Sequence, residues 1–97
     1  MSNFTVRVYV HNEVAGNMAE LNGIMVSYGF RLTISSDVGT IYVLPPGEYS
    51  YTGNIDRKAV LEMVKAAAGQ VGKKYSIFIT ESKGRTWYNL TKAPKVP

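Results

Sequence analysis

Apolar and polar residues alternate strictly from Phe4 to His11, with Phe4, Val6, Val8 and Val10 on one side and Thr5, Arg7, Tyr9 and His11 on the other. That two-residue period predicts a strand with one face in a core. The period then changes. Between Glu13 and Tyr28, residues Val14, Met18, Leu21, Met25 and Tyr28 step by four, three, four and three, the stripe of a core-facing helix. Asn17 and Glu20 stand at capping-box spacing, which would start the helix at Met18, and Gly29 followed by Phe30 is a helix stop.

Arg31 to Ser35 and Thr40 to Leu44 are short β-rich runs around the loop Ser36-Asp37-Val38-Gly39 and predict a hairpin. Pro45-Pro46-Gly47 ends its second strand, because proline cannot donate to a ladder. Glu48 to Asn54 then reads as a loop carrying Tyr49 and Tyr51, residues that could stack on bases but more commonly cover the edge of a core. Asp56 is placed as the cap of a second helix, with Ile55 and Val60 as a hydrophobic staple. Val60, Leu61, Val64, Ala67, Ala68 and Val71 form its stripe, and Gly72 its stop. Tyr75, Ile77 and Ile79 alternate with Ser76, Phe78 and Thr80 in a further strand, Ser82-Lys83-Gly84 turns the chain, and Arg85 to Leu90 reads as a short last strand. Residues 1–90 form one domain in this reading, and residues 91–97 a frayed, flexible tail.

The order of elements implies an α+β, ferredoxin-like βαββαβ sandwich with an additional short C-terminal strand and two helices on one face of an antiparallel sheet. Strands one and four would lie at or near its middle. Val6, Val8, Leu32, Ile34, Ile77 and Ile79 would face the helices; Thr5, Arg7, Tyr9, Arg31, Thr33, Tyr42, Ser76 and Phe78 would be left on the opposite face.

A chain of 97 residues holds one modest core. The absence of cysteine excludes disulfides and thiolate metal sites. With no basic and apolar leader at the N-terminus and no apolar run near the ~20 residues of a membrane span, the expectation is a cytoplasmic protein without a membrane partner. The net charge of +4 is uneven: residues 1–72 carry five Lys/Arg against six Asp/Glu, and residues 73–97 carry six against one. Cations among aromatics mark a phosphate-backbone binder, although a solvated basic tail has the same composition.

An open sheet face bearing Arg7, Tyr9, Tyr42 and Phe78 suits two occupants, single-stranded RNA stacked on the aromatics or a second copy of the chain in a homodimer. The motif of RNA-recognition domains is absent, which on the residues alone places the homodimer first. His11 is the only histidine, so acid-base chemistry by two histidines of one chain is excluded. No acids are spaced to share a metal, and neither the Walker loop nor the dinucleotide fingerprint occurs; no cofactor is expected. RNA cleavage needs neither, because the 2′-hydroxyl supplies the nucleophile.

The runs Val6 to Asn12 and Lys73 to Tyr88, with Lys73, Tyr75, Ser76, Thr80, Glu81, Arg85, Thr86, Trp87 and Tyr88 at the matching positions, resemble the GhoS-like family, small bacterial proteins related to the endoribonuclease antitoxin of a type V toxin-antitoxin system. The likeness spans most of residues 3–90 and is stronger to the branch of that family without assigned activity. It implies a ferredoxin-like fold akin to small CRISPR-associated nucleases and an RNase acting on a toxin transcript. Two departures stand out. Glu20 and Asn22 occupy positions where the antitoxin has arginines, and His11 and Asn12 replace the strand-end aspartate of the CRISPR-type enzymes. With the resemblance, an RNA-directed role leads: Arg7, Arg31 and Arg85 would hold phosphates, Tyr9 would stack or donate a proton, and His11 would titrate near neutrality. A non-catalytic homodimeric interaction module is the alternative.

Overall fold

A computed structural model of the chain describes residues 1–94. The first strand, β1 (Ser2–Val10), is the centre of a three-stranded antiparallel sheet of order β4-β1-β5, in which β4 is Glu48–Gly53 and β5 is Tyr75–Ser82. Helices α1 (Asn17–Ser27) and α2 (Arg57–Ala68) pack on one face of it, and the hairpin β2 (Thr33–Ser35) with β3 (Ile41–Val43) stands beside it. This is an α+β fold compatible with the ferredoxin-like plan: Arg31 bridges to Ser50, so the chain entering β2 takes the place next to β4.

Phe4, Val6, Val8 and Val10 are buried against Leu21, Met25, Val60, Val64, Ala67 and Ala68. Alternation alone placed those β1 residues inward. The helix ends follow local chemistry. Gly29, at φ 93°, ends α1 in a Schellman motif: its N–H donates to the Val26 carbonyl, the Phe30 N–H donates to the Met25 carbonyl, and Phe30 folds into the core. Asp56 caps α2 by accepting from the Ala59 N–H at 2.8 Å. The capping box expected for α1 does not form, because the Asn17 side chain turns back to accept from the Val14 N–H. Leu61, placed by its spacing in the stripe of α2, is 37% exposed beside β5.

Two segments exchange roles relative to the sequence reading. Glu48 to Gly53 is a sheet strand, not a loop. Tyr49 is wholly buried and Tyr51 stacks at 4.9 Å on Phe30, so both serve the core. Arg85 to Leu90 is not a strand; it crosses the sheet face away from the helices. The late pairing falls instead at Thr91 to Ala93, where the Val43 N–H donates to the Thr91 carbonyl and the Ala93 N–H to the Ile41 carbonyl, in a stretch that composition marks for fraying. Residues 95–97 of that tail lie outside the described residues. Ile34 also changes sides: it is buried near Thr86 and Trp87 and not in the helix-facing core. Among the described residues no helix is long and apolar enough to cross a membrane.

Candidate nucleic-acid interface

The helix-free face of the sheet is divided. One part lies under residues 85–90. Arg85 anchors them: its Nε–H donates to the Thr5 hydroxyl at 2.9 Å and an Nη2–H to the Phe4 carbonyl at 2.7 Å. Partial burial lowers the pKa of this guanidinium by desolvation. Trp87 follows, edge-on to Tyr42 at 5.5 Å, so Tyr42 is covered rather than open. Between the Ser35-Ser36-Asp37 loop and the turn at Lys83-Gly84 lies a hollow of about 340 Å³, walled also by Asn3, Arg85 and Trp87.

The other part is bare, and the register of β1 with β5 builds it. Arg7 stands opposite Phe78, Tyr9 opposite Ser76, and His11 continues the same row of β1. Opposed residues of an antiparallel pair share a face, so these five side chains project together. Tyr9 is 58% exposed and Phe78 70% exposed. The Tyr9 and His11 rings meet edge to face at 4.7 Å, and His11 Nε2 lies 2.8 Å from the Ser76 Oγ. Among the described residues no carboxylate bonds His11, so this is a histidine-serine pair and not a hydrolase triad. No group of three His, Asp or Glu side chains is placed to hold a metal among the described residues.

Arg31 joins the face in another row. It bridges to Ser50, which pairs with Thr5, which pairs with Thr80, so Arg31 sits two strands from the point where Arg85 docks. The five residues singled out in the sequence therefore fall on one face in two roles: Arg7, Tyr9, His11 and Arg31 are available to a ligand, whereas Arg85 spends two of its N–H donors on the fold. Ser76 and Phe78 complete the patch. Alternation puts both on this face, but only the β1–β5 register shows which residues they meet.

No protein-family model matches this chain, and no curated protein matches it.

Proposed function

We propose that this chain is a small RNA-directed protein that lays a single-stranded segment across the bare half of its sheet. The observation that carries the reading is the placing of Phe78 directly opposite Arg7 and diagonal to Tyr9, with both aromatic rings largely exposed. Two stacking surfaces flanking a cation meet the requirement for binding single-stranded nucleic acid, a π-face for each base and a positive charge for the phosphate between them. Arg31 is a further cation on the same face, separated from Arg7 by Glu48, the β4 partner of Arg7, and by the row where Arg85 docks on Thr5.

The resemblance to GhoS-like antitoxins adds cleavage to this reading. His11 takes the proton from a 2′-hydroxyl, the 2′-oxygen attacks the adjacent phosphorus, and the bond to the 5′-oxygen breaks. The Tyr9 phenol gives its proton to that leaving oxygen, and Arg7 neutralises the phosphorane. The products are a 2′,3′-cyclic phosphate and a free 5′-hydroxyl, with no metal in the balance. The test is incubation with an AU-rich single-stranded RNA, with and without EDTA, beside His11→Ala. Cleavage that survives EDTA and disappears in the variant supports the RNase; intact RNA that is nevertheless bound, with affinity falling steeply with salt, leaves a binding protein. The second reading, a non-catalytic homodimeric module, is favoured by the apolar character of exposed Phe78 and requires that RNA neither bind nor be cut.

A further inference from the structure

Among the described residues, the named strands β4 and β3 have their outer sides met by other chain, and β5 does not. The outer side of β4 is met at Ser50 by Arg31, and the outer side of β3 by Thr91 to Ala93. Among the described residues nothing covers β5, an eight-residue strand. The His11 N–H donates to the Lys74 carbonyl, and hydrogen-bonded pairs alternate along the ladder, so Ser76, Phe78 and Thr80 bond inward to β1. Tyr75, Ile77, Ile79 and Glu81 therefore direct their N–H and C=O groups outward. Exposed edges normally carry proline, a bulge or a central charge. The middle of this one reads Ile77-Phe78-Ile79-Thr80, and Leu61 stands exposed beside it on α2.

We infer that β5 pairs antiparallel with β5 of a second copy, about a two-fold axis through Phe78. This register sets all four outward positions against outward positions, Ile77 against Ile79 and Tyr75 against Glu81, each twice by symmetry. On the helix side it matches Ile77 with Ile79 and sets the Tyr75 ring beside Glu81, and on the open side Ser76 meets Thr80. Lys73, just outside the strand, lies diagonal to the second copy's Glu81 and opposite its Lys83, and within residues 75–81 no like charges face each other. Neighbouring registers match less of the strand or match it worse. An axis through Ile79 opposes Ile77 to Glu81, and one through Ile77 pairs only residues 75–79 of β5 with each other and sets Glu81 against Lys73 beyond the strand end. The groove of about 580 Å³ between α2 and β5 is lined by Leu61, Ile77, Phe78 and Ile79 together with Asp56, Arg57 and Lys58, so the second copy would meet apolar residues beside the charged start of α2. The product is a continuous six-stranded sheet whose two bare faces adjoin at Phe78. The dimer stands or falls independently of RNA binding.

The chain has no cysteine, so one introduced thiol reports one position. Phe78 faces Phe78 as a non-hydrogen-bonded pair, with a Cα separation of ~4.5 Å that a disulfide spans. The expected result is a dimer by sedimentation, with Phe78→Cys cross-linking almost completely under mild oxidation while Thr80→Cys, exposed on the same face, does not. A monomer at every accessible concentration, or equal cross-linking of the two variants, overturns the inference.

Discussion

His11 Nε2 and Ser76 Oγ lie 2.8 Å apart, a contact that ties the end of the central strand to the edge strand on the face that carries Arg7, Tyr9 and Phe78. The serine orients the imidazole with Tyr9 against its other side. On the proposed RNase reading, the expected outcome is that His11→Ala loses RNA cleavage by ~10²-fold or more with binding nearly intact, the effect of removing a general base. Ser76→Ala frees the ring without removing it, so its loss is smaller. Rates and affinities measured on the same RNA separate the two effects.

On the proposed RNA-binding reading, the expected outcome is that Tyr9→Ala and Phe78→Ala each weaken single-stranded RNA binding by roughly 1–3 kcal/mol, the loss of one stacked base. Arg7→Ala lowers affinity for all sequences alike and reduces the salt slope by ~1. Fluorescence anisotropy at two salt concentrations reads both. Unchanged affinity in all three variants removes this face as the RNA site.

Arg85→Ala destabilises the fold by about 1.5–3 kcal/mol, because two charged hydrogen bonds to Thr5 and Phe4 are lost and the 85–90 crossing loses its anchor. Arg85→Lys restores only part, since an ammonium cannot reproduce the planar fork. Urea midpoints measure both variants.

Burial raises the Tyr49 phenol to about 12. Its hydroxyl donates to the Asn22 Oδ1 at 2.7 Å. The unfolded phenol ionises near 10, so the stabilisation is complete below about pH 10 and is lost as pH rises toward 12, by about 2 kcal/mol. Tyr49→Phe costs about 1 kcal/mol at pH 8, where the bond to Asn22 is missing. That deficit narrows or reverses at pH 11, because the variant has no phenol to ionise. Urea unfolding of both proteins at the two pH values tests the crossing.

Gly47→Ala lowers stability by roughly 1–3 kcal/mol. Gly47 has φ 85°, and a Cβ there would meet the Val8 carbonyl oxygen at 2.9 Å, on the backbone of the central strand. That oxygen has no room to retreat, because the Val8 N–H is held at 2.8 Å by the Gly47 carbonyl. Thermal unfolding measures the loss.

The sequence by itself determined the elements whose signals are local. The alternation of Phe4 to Val10 gave β1 its buried face, Asp56 gave α2 its cap, and Gly29 with Phe30 gave α1 its stop, because each depends on residues within a turn or two. It also placed Arg7, Tyr9 and His11 on one side of a strand. The tertiary structure alone decided what crosses that side. Glu48 to Gly53 carries β-favouring Tyr49, Tyr51 and Thr52, with the tyrosines at a two-residue period. It is short and follows two prolines and a glycine, so its own signal reads equally as a loop, and pairing with β1 decides the strand. Arg85 to Trp87 looks like strand sequence, yet it crosses the sheet because the Phe4 carbonyl and the Thr5 hydroxyl offer Arg85 partners there. The contact of His11 with Ser76, 65 residues away in the chain, exists only through the β1–β5 register, and register is a property of two strands together.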